Sequence, residues 1–232
     1  MEIKIHDFVA GAKEARGITV IIDVFRAFST ACYAFSQGAK RIIPVAKPEE
    51  AFKWKRKDPS VLLIGERHAK KIEGFDFGNS PSELINMDLT GKTLIHTTHA
   101  GTQGLVAASN ANEVLTGSLV NAKATAAYIK KKTPKLVSLV RMGYEAMKRT
   151  EEDDICAAYL EALLKDEPFN ALEIPKLLKE SPCSARFFDP EQIWNPRSDF
   201  ELCVRVDTFD FPIIMKTEET FAYLEPLLQS RA

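Results

Sequence analysis

Four cysteines in 232 residues, none of them in a C-x-x-C pair, leave little material for a disulfide framework or a zinc site. Cys32, Cys156, Cys183 and Cys203 stand far apart, three of them in apolar segments, and read as buried free thiols. Long hydrophobic runs are missing too. No segment approaches the ~20 apolar residues of a membrane span, and the opening MEIKIHDF puts Glu2, Lys4 and Asp7 where a signal peptide would be apolar. A cytoplasmic chain with no membrane partner is expected. Nor is there an excess of either charge. The 31 Lys and Arg against 32 Asp and Glu give a formal net charge of -1, so no overall field attracts nucleic acid. An anionic ligand would have to be held by local groups. Composition leaves self-association into a homo-oligomer open.

Several common catalytic motifs are absent as well. There is no H-E-x-x-H, no G-x-S-x-G and no dinucleotide glycine fingerprint. The stretch MDLTGKT ends like a P-loop, but Asn86 stands where the first glycine belongs, and a strand is expected where a helix should follow. Asp23 is followed two residues later by Phe25, which removes the Asp-x-Asp strand end of the aspartate-nucleophile phosphatases.

What is present is an ordinary globular composition, 45% hydrophobic and 27% charged, with enough chain for a sizeable core. Short β-branched runs alternate with segments of helical period, the pattern of parallel strands joined by crossover helices. The spacing predicts strands at 2–5, 18–22, 41–45, 61–64, 93–96, 113–116 and 136–140. Helices are predicted at 27–37, 48–57, 84–87, 102–109, 121–132 and 152–165. Beyond Asp166 the prolines crowd in, and a hairpin of 202–206 with 212–215 is expected before a final helix. The pattern predicts one α/β domain over 1–232, with a core at 1–165 and an α+β extension at 166–232.

In an open parallel sheet, ligands bind beyond the carboxyl ends of the strands, and three predicted strand ends carry unusual residues. Asp23 and Arg26 follow the first core strand. Asp23 reads either as a helix cap or as a ligand, and Arg26 adds a fork of donors for phosphate. After the third core strand comes a long aperiodic stretch, GERHAKKIEGFDFGNSP. In it Glu66 and Asp76 are candidate metal ligands, and Arg67, Asn79 and Ser80 candidate anion donors. An ordered loop in which Asp76 and Asn79 only close turns is the alternative. The third, HTTHAGTQG, offers Thr97, Thr98, Thr102 and the Gly101 backbone as a phosphate nest, with His99 a candidate general acid. Thr102 as a helix cap is the competing reading. The acidic run 151–154 reads as a solvated first helical turn.

IIDVFRAFSTACYAFSQGA, GERHAKKIEGFDFGNSPSEL and EDDICAAYLEALL, in that order and spacing, resemble the 2-phosphosulfolactate phosphatase family over most of residues 18 to 165. The resemblance implies a three-layer α/β/α sandwich and Mg²⁺-dependent hydrolysis of 2-phosphosulfolactate to sulfolactate and phosphate, a step towards coenzyme M. It singles out Asp23, Arg26, Glu66, Arg67, Gly74, Asp76, Gly78, Asn79 and Ser80, and it raises Glu152 and Asp153 to metal ligands. One departure stands out. Where the family pattern reads Thr-Thr-Asn-Gly-Thr, His99-Ala100 lies between Thr98 and Gly101, a loop one residue longer.

The expected mechanism has Asp23, Asp76 and one or both of Glu152 and Asp153 around Mg²⁺, with Arg26, Arg67 and the 98–102 loop clamping the phosphoryl oxygens. Either a metal-bound water or Asp23 attacks. Arg67, Lys70, Lys71 and Arg141 are the cations available to a sulfonate. Two alternatives stand beside this reading: a phosphatase of the same fold acting on a different phosphorylated hydroxy acid, and a non-catalytic module that binds a small anion.

Overall fold

In the computed structural model, which describes residues 1–228, β1 (Glu2–Asp7) and a short helix α1 (Phe8–Glu14) come first. β2 (Ile18–Ile22) leads into α2 (Ala27–Ser36), then β3 (Arg41–Pro44), α3 (Pro48–Lys57) and β4 (Leu62–Arg67). The two-residue β5 (Lys70–Lys71) folds back on β4. α4 (Pro81–Leu84), β6 (Thr93–Thr97), α5 (Gly101–Ala107) and β7 (Glu113–Gly117) follow. α6 (Ala122–Lys132), β8 (Leu136–Arg141) and α7 (Glu151–Lys165) complete the alternation. The remainder holds α8 (Ile174–Lys179), a 3₁₀ segment at Pro182–Phe187, α9 (Arg197–Cys203), β9 (Ile213–Glu218) and β10 (Phe221–Pro226).

Local chemistry accounts for the elements. All five β2 residues are buried, and successive side chains enter different cores: Ile21 packs with Phe28 and Leu105, while Val20 and Ile22 pack with Leu139 and Leu160. A strand with both faces covered favours apolar and β-branched residues, hence a run in which Thr19, fully buried, is the one polar side chain. α2 is buried from Ala27 to Phe35, which explains why its apolar residues form no single stripe. By contrast α3 opens on Pro48 with Glu49 and Glu50 and closes on Lys55, Arg56 and Lys57, matching the helix dipole on a solvated surface.

The strands form one ten-stranded, mostly parallel sheet in the order β1-β8-β2-β7-β9-β10-β3-β6-β4-β5, covered by helices as in a three-layer sandwich. β1, β8, β2 and β7 run parallel, as do β3, β6 and β4, and the antiparallel hairpin β9-β10 joins the two groups. The tail differs from the sequence reading. The hairpin pairs 213–218 with 221–226 rather than 202–206 with 212–215, because Leu202 and Cys203 are taken up in α9 and buried against the core. Strand β10 lies where a final helix was expected, and residues 229–232 lie outside the described residues. The segment after Asp166 thus supplies two interior strands of the sheet. Among the described residues, no helix is long and apolar enough to cross a membrane.

Candidate active site

Asp23 follows β2 directly and is 6% exposed. Its Oδ1 accepts the Ala27 N–H at 3.2 Å, at the start of α2, and its Oδ2 accepts the Gly101 N–H at 2.8 Å, at the start of α5. The capping and the pocket-facing readings therefore both hold, since the same carboxylate lines a small cavity. Burial, together with the charges of Glu66 and Glu152, pushes the Asp23 carboxyl up to about 7 despite the two N–H donors.

Two more acids arrive from the first turn of α7. Asp153 accepts the Val24 N–H through Oδ1 at 2.9 Å and the Gly143 N–H through Oδ2 at 2.8 Å, tying α7 to the ends of β2 and β8. Burial and the charges of Glu152 and Asp23 hold its carboxyl well above the usual range. Glu152, one residue earlier, is buried, and its Oε2 has no hydrogen-bond partner among the described residues. Burial raises the Glu152 carboxyl too, with the Cys183 thiol first and then Arg186 pulling the other way. Glu66, near the end of β4, accepts N–H groups from His99 at 2.7 Å and Ala69 at 2.8 Å. The acids that the sequence reading set in a solvated turn thus include two of the most buried carboxylates in the chain.

Asp76 is not among them. Its Oδ2 accepts the Leu63 N–H at 2.7 Å and lies 3.3 Å from Lys55 Nζ. Leu63 stands at the start of β4, away from the cavity. The cause is chain direction: Phe77 bridges Ile64 in parallel, so 76–79 runs beside β4 towards its carboxyl end. Three residues of extended chain cover ~10 Å, and only Asn79 reaches the cavity, with Oδ1 3.3 Å from His96 Nε2. Burial pushes His96 down to about 3, leaving a neutral imidazole.

Most of the expected anion donors are committed within the protein. Arg26 Nη1 forms a buried ion pair with Asp199 at 2.5 Å and donates to the Trp194 carbonyl, while its Nη2 donates to the Ala69 carbonyl. Ser80 donates to the other oxygen of Asp199 at 2.8 Å, beside the Ser82 N–H. Arg67 spends its guanidinium on the Glu66 and Ala46 carbonyls and on Thr97 Oγ1. Thr98 and Thr102 bond one another reciprocally, each taking the other's N–H, which is a cap and not an open nest. Of the further cations, Arg141 pairs with Asp7 and Asp154, and Lys70 lies over the Trp194 ring.

Sequence reasoning missed Arg186, Glu145 and Tyr144, which line the cavity with Asp23, Arg26, Glu66, Asn79, His99 and Glu152. Arg186 donates to the Phe25 carbonyl at 2.9 Å, its Nε has no partner among the described residues, and its guanidinium lies 5.0 Å from the Phe187 ring. The one signal for it was an arginine beside two aromatics in a proline-rich tail. The cavity measures about 40 Å³, room for little more than an ion or a water. A larger groove of about 510 Å³, lined by residues such as Val45, Trp54, Leu105 and Phe221, holds no such group of carboxylates.

This fold and this cluster, compared with known proteins, define an enzyme of the phosphatase class, a phosphoric monoester hydrolase. The family model described as 2-phosphosulpholactate phosphatase matches residues 5–218, and the chain belongs to that family. A probable 2-phosphosulfolactate phosphatase of Bacillus subtilis is 32% identical over 215 residues, 91% of this chain and 92% of that protein. One from Thermoplasma volcanium is 32% identical over 204 residues, 86% and 91% of the two chains. One from Caldicellulosiruptor saccharolyticus reaches 49% over 144 residues, a match that spans 60% of this chain and 59% of that relative.

Proposed function

We propose that this protein is a Mg²⁺-dependent phosphatase that hydrolyses 2-phosphosulfolactate to sulfolactate and phosphate, the substrate named for its relatives. The observation that carries the reading is the gathering of Asp23, Glu66, Glu152 and Asp153 in one buried corner, with Glu152 Oε2 unpartnered among the described residues. So many buried carboxylates repel one another and a phosphate ester unless protons or a cation neutralise them, and at a pH where they ionise a cation must do so. Their oxygens are the hard donors that Mg²⁺ selects. Asp23, Glu152 and Asp153 would hold the ion, with Glu66 beside them.

When bound, Mg²⁺ neutralises charge on a phosphoryl group in transfer. The chain's own residues do the remainder. Arg186, whose Nε is unpartnered among the described residues, is the cation that would take phosphoryl oxygens, and Asn79 lines the same cavity. Arg26 acts by holding Asp199, and through it Ser80, in place. His99 presents its imidazole at the cavity wall, where the leaving oxygen needs a proton. Asp23 fixes the starts of α2 and α5 around all of these.

The longer loop at His99-Ala100 favours a second substrate reading, a different phosphorylated hydroxy acid on the same site. One experiment covers both: phosphate release from 2-phosphosulfolactate, phospholactate and phosphoglycolate, with Mg²⁺ and with chelator. Release that needs Mg²⁺ and prefers the sulfonate is expected. Equal rates on all three would remove the substrate and keep the class. A folded protein that binds these esters and releases no phosphate would leave the small-anion-binding reading instead.

A further inference from the structure

Three loops carry a second group of metal-ligating side chains at the edge of the cavity. His68 sits in the β4-β5 turn, His99 in the loop before α5, and Glu145 in the loop between β8 and α7. His68 Nδ1 lies 2.7 Å and His99 Nδ1 3.9 Å from Glu145 Oε1, and one ligand atom from each residue falls within 4.8 Å of the others. The imidazole centroids are 4.9 Å apart. A four-coordinate ion with bonds of ~2.0–2.2 Å separates its ligands by roughly 3.3–3.6 Å, a spacing that the two measured distances bracket. The geometry points to a second divalent-cation site made of His68, His99 and Glu145, selective for a nitrogen-preferring ion of the Zn²⁺ class.

A plain surface ion pair between His68 and Glu145 accounts for part of this arrangement. It does not account for His99, whose Nδ1 is buried without a partner among the described residues while facing the same carboxylate. The backbone is also committed to the placement. His68 and Ala69, at φ 53° and 63°, are the two central residues of the tight β4-β5 hairpin, and Glu145 and Ala146, at φ 54° and 55°, lie in the turn closed by the Tyr144–Lys148 bridge, so two tight turns set where His68 and Glu145 stand. Glu66 fastens two of the loops together, one oxygen on the His99 N–H and the other on the Ala69 N–H.

Two imidazoles and one carboxylate form a donor set suited to Zn²⁺, Fe²⁺ or Co²⁺ and ill suited to Mg²⁺. The all-carboxylate corner around Asp23 has the opposite preference. His99 and Glu145 both line the cavity, so the ion would stand beside an entering ester, with His99 its ligand in that state and a proton donor only without it. That last role rests on the phosphatase reading; the binding of the metal does not.

The test is a Co²⁺ titration of the whole chain in saturating Mg²⁺, followed by visible absorption. One equivalent of cobalt with an intense imidazole-type spectrum is expected, displaced by Zn²⁺. The spectrum should be lost in His68→Ala and in Glu145→Gln and kept in Glu152→Gln. Absence of the spectrum in the wild type, or its persistence in a folded His68→Ala protein, overturns the inference. Phosphate release with Mg²⁺ alone is measured on the same samples: a cobalt spectrum without Mg²⁺-dependent hydrolysis sinks the phosphatase reading and leaves this site standing.

Discussion

The Asp23 carboxylate accepts the Gly101 N–H at 2.8 Å, and through that contact the ends of β2 and β6 meet although β7, β9, β10 and β3 lie between them in the sheet. The sheet must curl for this to happen. α5 packs across the curl, with Gly104 against Ile21 of β2 and Met142 after β8. A Cβ on Gly101 would stand 2.8 Å from both Ala27 Cβ and Asp23 Oδ2. Gly101→Ala should therefore push α5 off Asp23 and lower kcat by at least ~10-fold, because a misplacement near 1 Å already costs up to ~100-fold. Wild-type kinetics in this variant would show that the contact is not needed.

Glu152→Gln separates function from stability. Its Oε2 has no hydrogen-bond partner among the described residues, and its charge is held in a buried site. The substitution should leave the metal-free protein as stable or more stable in thermal melts, while activity falls by at least roughly 100-fold. A destabilised variant with full activity would contradict the assignment.

Arg26 presents the reverse case. Both partners of its ion pair with Asp199 are buried, and removing one of such a pair costs ~3–5 kcal/mol by stranding the other. Arg26→Met should shift the denaturation midpoint strongly. A variant that melts like wild type and only loses kcat would return Arg26 to the role of phosphate ligand.

Asp76→Asn tests the residue whose place in the fold departed furthest from the sequence reading. Its ion pair with Lys55 is about one-third exposed, so a stability cost of at most ~1 kcal/mol is expected, with activity near wild type. Loss of Mg²⁺ response in a folded Asp76→Asn protein would restore it to the metal site.

The pH dependence follows from Asp23, whose carboxyl moves from an ordinary value of 3.8 to about 7 in the folded chain. Between those values the folded state keeps a proton that the unfolded state has released, so metal-free stability falls as pH rises through that window. Mg²⁺ needs the ionised carboxylates and competes with that proton. Melting with and without Mg²⁺ should show a larger stabilisation near about pH 8 than near about pH 5, and equal shifts at both would count against the cluster as the metal site.

The parallel half of the fold was legible because its strands are buried on both faces and so read as apolar runs, as in 18–22 and 136–140. Asp23 stood out at the end of such a run, whereas Glu152 and Asp153, in the first turn of α7, read from the residues as a solvated turn and were singled out only by the family resemblance. The tail was not legible: β9 and β10 carry Lys216, Thr217, Glu218 and Glu225 although they sit in the middle of the sheet, so their period points to no core. Arg186 and Asp199 reach the site only through tertiary packing of that tail. Asp76 misled because closeness in sequence to Asn79 says nothing about which end of β4 each residue faces.

The proposed divalent cation lies among Asp23, Glu152 and Asp153. Anomalous diffraction from a crystal soaked in Mn²⁺ locates it most directly. The account predicts a peak within ~2–2.5 Å of oxygens of Asp23 and Glu152, absent in Glu152→Gln; a fully occupied soak with no peak between those carboxylates would contradict it.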